Sequence, residues 1–246
     1  MPGEQTTHDA IFGGEALIVQ HRHGYRFGMD ALLLATDLPP FAHDATIVDL
    51  GSGHGPAAIA IAIRYPQARI VAVDRQSALL ALLEQSIALN ALTNIDVLQA
   101  DIRDFRTGLA PHSASLVVCN PPYFRPGNQR TSESLERAEA RHELHGGLAD
   151  FIAAARYVLE PGGHLKMITP PTRLGEVYAA IDATDLRLKS LRFFHATAQR
   201  EAYLVEYVLR RGAVADFVVL PPLVISDSEG VYTAEVAARL VKRVAP

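Results

Sequence analysis

Ile47-Val48-Asp49-Leu50-Gly51-Ser52-Gly53-His54-Gly55 decides the fold. A β-branched run carries an acid near its end and opens into a turn with glycine at every second position. Glycine lets a backbone take angles that side chains forbid and lets it come close to a ligand. The stretch therefore predicts a strand, a ligand-cradling loop and the start of a helix. Alone it is weak, because nicotinamide and flavin enzymes use similar turns. Outward from it, short β-branched runs alternate with Ala- and Leu-rich segments, the pattern of a parallel sheet covered on both faces. Strands are expected at 47–50, 70–74, 95–99, 116–119 and 164–169, and helices at 57–64, 77–90, 148–159 and 173–183. Pro161-Gly162-Gly163 stops the third helix.

Beyond Leu186 the rhythm changes to two longer β-like runs, 187–195 and 201–210, with no helix between them. Their connection is too short for a right-handed parallel crossover, so they are expected to form a hairpin-like pair at the sheet edge. An apolar run at 217–225, broken by Pro221-Pro222, and a helix near 234–241 complete the chain. The expectation is a doubly wound, Rossmann-like α/β fold. Its sheet should have seven strands, mostly parallel, with an antiparallel edge strand.

Composition bounds the function classes. A chain of 246 residues, 49% hydrophobic and 20% charged, is long enough for one core and short for two catalytic domains. It opens without a basic leader and apolar core, and no run reaches the length of a membrane helix, so a cytoplasmic protein is expected. The single cysteine, Cys119, excludes an internal disulfide and a cysteine zinc cluster, and reads as a small buried residue at a strand end. The ten histidines show no ligand spacing. His142 and His145 share a helical face without a third ligand, so no metal is expected. A formal charge of −4 argues against a generic nucleic-acid coat and leaves room for a local basic face.

Four strand ends carry the chemistry. Asp49 stands two residues ahead of Gly51, Ser52, Gly53 and Gly55. A carboxylate there suits a cationic sulfonium-amino acid better than a pyrophosphate, which points to S-adenosylmethionine. Asp74, followed by Arg75, closes the second strand, where an acid can accept both ribose hydroxyls. Asp101-Ile102 ends the third strand and is assigned to the adenine ring. The fourth strand leads into Asn120-Pro121-Pro122-Tyr123 at the end where ligands of open α/β sheets sit. Two prolines stiffen the turn and remove two backbone donors. The Pro121 carbonyl and the Asn120 side-chain oxygen then face outward as acceptors for an NH₂ group, and Asn120 also borders the cofactor. Tyr123 or Phe124 can stack on a planar substrate. No base or metal is needed, since the reaction is mainly alignment of nitrogen, methyl carbon and sulfur.

The sequence resembles a known family through Tyr25-Arg26-Phe27-Gly28-Met29-Asp30-Ala31-Leu32-Leu33-Leu34-Ala35 ahead of the glycine loop, Asn120-Pro121-Pro122-Tyr123-Phe124, Ala140-Arg141-His142-Glu143, Leu148-Ala149-Asp150-Phe151, Pro221-Pro222-Leu223-Val224 and Tyr232-Thr233. These are similar to the bacterial enzymes that methylate N6 of adenine-37 in a valine tRNA. Met29 departs from the threonine or small residue that the family often has. The resemblance implies that residues 1–45 form an extension closing over the cofactor through Phe27 and Asp30, ahead of a methyltransferase domain at 46–246. It also implies that Asp49, Gly51, Gly53 and Asp74 hold S-adenosylmethionine, and that Asn120 to Tyr123 hold the target base. A tRNA is the implied partner, with Arg22, Arg26, Arg125, Arg130 and Arg141 as candidate phosphate contacts, and no membrane.

Three other readings stand beside it. N5-glutamine methylation of a protein such as a release factor uses the same Asn-Pro-Pro-Tyr, although such enzymes usually carry a sizeable helical domain before the glycine loop. Guanine-N2 methylation of RNA is the second. A non-catalytic S-adenosylmethionine-binding module is the third, and it would be expected to have lost Asn120 or the glycines.

Overall fold

A computed structural model of the chain describes residues 6–23, 26–122, 147–213 and 216–241. It begins with an antiparallel hairpin, β1 (Thr6–Ile11) and β2 (Ala16–His21), turned through Phe12–Gly14. Sequence reading placed no strands here, although two glycines between runs with apolar periodicity are a hairpin signal. The hairpin is followed by a short helix, α1 (Met29–Leu34). Then come β3 (Thr46–Leu50), α2 (Pro56–Arg64), β4 (Arg69–Asp74), α3 (Ser77–Leu89), β5 (Ile95–Gln99), a single helical turn α4 (Phe105–Gly108) and β6 (Ala114–Cys119). Beyond residue 146 follow α5 (Leu148–Val158), β7 (Leu159–Thr169), α6 (Leu174–Asp182), β8 (Leu186–His195), β9 (Ala202–Arg211), the two-residue strands β10 (Val218–Val219) and β11 (Leu223–Val224), and α7 (Ala234–Arg239).

The main sheet runs β10-β8-β9-β7-β6-β3-β4-β5, with β11 also on β8. The doubly wound α/β reading holds. The one antiparallel member, β9, lies inside the rim: it pairs antiparallel with both β7 and β8, and the short β10 and β11 extend β8 in parallel. The expected run at 217–225 thus becomes two parallel fragments rather than one strand, because a proline cannot donate to a ladder and Pro221-Pro222 divides it. β7 also starts five residues earlier than the expected 164, directly after α5, with a register shift opposite Ala114 and Leu116.

Alternation along the strands divides the core in two. Ile47, Ile70, Ala72, Leu116, Val118 and Ile168 face α1, α2 and the hairpin, while Val48, Val73, Val117, Cys119, Leu165 and Met167 face α5 and α6. Ile11, Phe12, Ala16 and Ile18 of the hairpin belong to the first of these cores. β2 is pinned to α3 as well: Ser86 Oγ accepts from Val19 N–H at 2.9 Å, and Asn90 exchanges bonds with the Leu17 backbone. The strand order reverses at β3, which has β4 on one side and β6 on the other. A crevice opens at the C-terminal ends of strands at such a point, where ligands of open α/β sheets bind. Among the described residues no helix is long and apolar enough to cross a membrane.

Candidate active site

The loop after β3 is built by its own backbone. Gly51 and Ser52 N–H groups both donate to the Val73 carbonyl on β4, at 2.8 and 2.9 Å. Gly51, Gly53 and Gly55 have φ of 71°, 58° and 82°, the left-handed region that favours glycine. At Gly51 a Cβ would come within 2.9 Å of the Phe151 ring, and at Gly55 within 2.2 Å of Leu83. Gly55 caps α2, and Pro56 follows at its first turn, where a missing N–H costs nothing.

Asp49 lies beneath this loop, 2% exposed. Burial, then the nearby charge of Asp74, pushes its pKa up to about 7, against one stabilising bond from the Ala58 N–H. Among the described residues its Oδ2 is buried without a hydrogen-bond partner, and so are Ser52 Oγ and His54 Nε2. Such groups are costly unless something meets them. Asp74 at the end of β4 is also buried, and both of its oxygens already accept backbone bonds: Oδ2 from Gly53 N–H at 2.9 Å, Oδ1 from Gln76 N–H at 2.8 Å. It therefore shapes the glycine loop, and each oxygen keeps one lone pair for a ligand.

The turn after β6 is held from outside. Asn120 Nδ2 donates to Asp30 Oδ2 of α1 at 2.7 Å. Only the amide nitrogen can donate to a carboxylate, so the contact fixes which way the amide points. Asn120 Oδ1 is left buried, with no hydrogen-bond partner among the described residues. Pro121 is buried and Pro122 exposed, and the Pro122 carbonyl accepts from Arg173 at 2.8 Å. Sequence reading had not singled out Arg173. The available signal was a second Pro-Pro, Pro170-Pro171, ending the neighbouring strand just before it.

The remaining candidates are placed as follows. Phe27, half-buried, donates its N–H to the side-chain oxygen of Gln20, and its ring lies 5.9 Å from that of His54. Burial, with the charges of His21 and Arg26, brings the His54 pKa down to about 4, so its imidazole is neutral at physiological pH. Asp101 caps the short turn at Ile102–Asp104 through the Arg103 N–H and pairs with the Arg103 guanidinium, which holds its carboxyl below the usual range. Ile102 is buried; Arg75 is half-buried, its carbonyl accepting from Gln99. Arg22 and Arg26 are exposed, and Arg26 is engaged by Asp9 and Thr7 on the hairpin. Tyr123, Phe124, Arg125, Arg130, Arg141, His142 and His145 lie outside the described residues. Cys119 is buried, and burial raises its thiol pKa, which fits the reading as a packed strand residue.

Residues 26–176, more than half of the chain, match the methyltransferase small domain. Over 125 residues the chain is 34% identical to the release factor glutamine methyltransferase of Salmonella typhimurium, covering 48% of this chain and 44% of that protein. It thus spans less than half the length of that relative. Over 216 residues it is 29% identical to the tRNA1(Val) (adenine(37)-N6)-methyltransferase of Aeromonas hydrophila, covering 86% of this chain and 87% of the other. A solved structure from Agrobacterium tumefaciens, described as a predicted O-methyltransferase, superposes with a TM-score of 0.70 at 24% identity, over 89% of this chain and 98% of that one. That likeness carries the fold.

Proposed function

The chain belongs to the family of methyltransferase small domains, and from that premise we propose that it methylates N6 of an adenine in RNA, adenine-37 in the anticodon loop of a valine tRNA, using S-adenosylmethionine. The observation that carries the reading is the buried Asn120 Oδ1, which has no hydrogen-bond partner among the described residues while Asp30 takes the other end of the amide.

The residues at the ends of β3 and β4 fit the cofactor. Asp49 Oδ2 and Ser52 Oγ are buried polar atoms without hydrogen-bond partners among the described residues, and a Cβ at Gly53 would meet nothing nearer than 4.0 Å, which leaves room beside the loop there. Asp49 is suited to the cationic amino-acid end, Asp74 to the ribose hydroxyls through its remaining lone pairs, and the Asp101-Ile102 corner to the adenine. When bound, the cofactor supplies a methyl group already activated by a positive sulfur. The chain's own task is alignment. Asn120 Oδ1 and the Pro121 carbonyl accept the two hydrogens of the target NH₂, which directs the nitrogen lone pair along the methyl–sulfur axis. Phe27 lies against His54 of the glycine loop and Asp30 against Asn120, which suits the segment before β3 to cover the bound cofactor.

The same acceptors suit a glutamine amide, as the Salmonella relative's name illustrates. Coverage favours the nucleic acid: the tRNA-modifying relative aligns over most of both chains, the glutamine-modifying one over about half. An anticodon loop presents unpaired bases, which spares the few kcal/mol needed to extract one from a duplex. Arg22, with Arg125, Arg130 and Arg141, is proposed for the phosphates; Arg26 would have to leave Asp9 to join them. The test is to incubate the protein and labelled cofactor with unmodified tRNA transcripts and, separately, with a release-factor domain. N6-methyladenosine in valine tRNA is expected. Methylglutamine without methyladenosine reverses the substrate while leaving the transfer reaction in place.

A further inference from the structure

We infer that Arg173, held by Glu176, is a positioning residue that sets the direction of the Pro121 carbonyl in the Asn-Pro-Pro turn; this rests on the acceptor role proposed for that turn. Arg173 lies in the short turn Pro171–Arg173 between β7 and α6. It is only 5% exposed, an unusual place for a guanidinium. One of its nitrogens donates to the Pro122 carbonyl at 2.8 Å, while Nε and the other terminal nitrogen donate to Glu176 Oε2 at 3.0 and 2.8 Å. The fork thus has its carboxylate on one side and the proline carbonyl on the other.

The consequence follows from what prolines remove. Pro121 and Pro122 have no N–H, so the turn cannot tie itself down with backbone donors, and each has φ fixed near −65°. Between Cys119 and the Pro122 carbonyl the soft backbone angles are essentially the ψ values and the φ of Asn120. The near end is fixed, since Cys119 pairs with Met167 in the β6–β7 ladder. The far end is fixed by Arg173. With both ends held, the carbonyl between them, that of Pro121, has little freedom left. Lysine cannot reproduce this, because a single ammonium on a flexible stem lacks the rigid fork that meets carboxylate and carbonyl together.

Arg173→Lys keeps the charge and is the variant to make; Glu176→Gln, which keeps an acceptor and weakens the hold on the fork, is its companion. The acceptor is whichever one the wild-type protein methylates, tRNA transcript or release-factor domain. A wild-type protein that acts on neither defeats the proposed function and is recognised before any variant is compared. For Arg173→Lys the expected result is a kcat lowered about tenfold or more, with KM for the acceptor, calorimetric affinity for S-adenosylhomocysteine and melting temperature close to wild type. Glu176→Gln should fall in between in kcat. Wild-type kcat in Arg173→Lys overturns the inference. So does a loss of kcat that comes with an equal loss of cofactor affinity or of thermal stability, which marks a residue that only holds the fold together.

Discussion

The glycine loop after β3 and the Asn-Pro-Pro turn after β6 lie side by side on paired parallel strands, yet they are held in opposite ways. The first is shaped by positive φ angles and by bonds to the adjacent strand: Val73 receives Gly51 and Ser52, and Asp74 receives Gly53. In the second the two prolines have no N–H to donate, and the turn is clamped by side chains from two distant elements, Asp30 and Arg173. A loop built from backbone can be rigid and leave its side chains free for a ligand. A turn built from prolines offers carbonyls to a substrate but borrows its rigidity. Changes in the two places should therefore fail differently, one in stability and one in turnover.

The largest expected effect is on turnover. Asn120→Ala removes the acceptor whose orientation Asp30 fixes, and kcat should fall about a hundredfold or more, with cofactor affinity nearly unchanged. A loss below about tenfold, roughly 1.4 kcal/mol in barrier, would remove Asn120 from the reacting centre. The next effect is on stability. Gly55→Ala combines left-handed strain with a Cβ 2.2 Å from Leu83, and urea unfolding should show a loss of about 2–4 kcal/mol. Pro122→Ala, by contrast, should cost no more than about 1 kcal/mol in the same assay, since that residue is exposed and contributes mainly by restricting the unfolded chain. If the proline variant proved the less stable of the two, the contrast between the loops would collapse.

The same contrast governs what the sequence made legible. The glycine loop and the alternation of strands and helices are local patterns, and they led to the doubly wound sheet and to the loop residues as they stand. Asp30 meets Asn120 across 90 residues and Arg173 meets Pro122 across 51, and no local pattern encodes either contact. Asp30 was assigned to the cofactor, and here its carboxylate is bonded to the asparagine. Asp74 was assigned to a ligand alone, whereas it also organises the loop, because a carboxylate at a strand end is the acceptor nearest to the loop's exposed N–H groups. The inward position of β9 was equally hidden, since a hairpin signal fixes which strands pair with each other and not which of them joins the sheet.

A dependence on pH, read one unit below the Asp49 pKa, sharpens the comparison from the side of the glycine loop. Asp49 is enclosed by β3, α2 and the loop, with Asp74 as the nearby acid, and its pKa stands at about 7 rather than 3.8. A raised acid binds its proton more tightly in the folded than in the unfolded chain. Its contribution is therefore neutral below about pH 4, turns unfavourable as the pH rises from 4 towards 7, and is constant above 7. Stability of the ligand-free protein should decline across that window relative to Asp49→Asn, which cannot ionise there. A cationic ligand favours the charged carboxylate, so its binding below pH 7 must displace the proton, and its affinity should rise with pH by at most about tenfold per unit until 7. Calorimetry of S-adenosylmethionine at pH 6, in two buffers that differ in ionisation enthalpy, measures that proton directly. Release of close to one proton per ligand in the wild type, and none in Asp49→Asn, is the expected result. Identical heats in both buffers for the wild-type protein would mean that Asp49 is already charged before the ligand arrives, and that the strand-end acid is held by the loop and not reserved for the ligand.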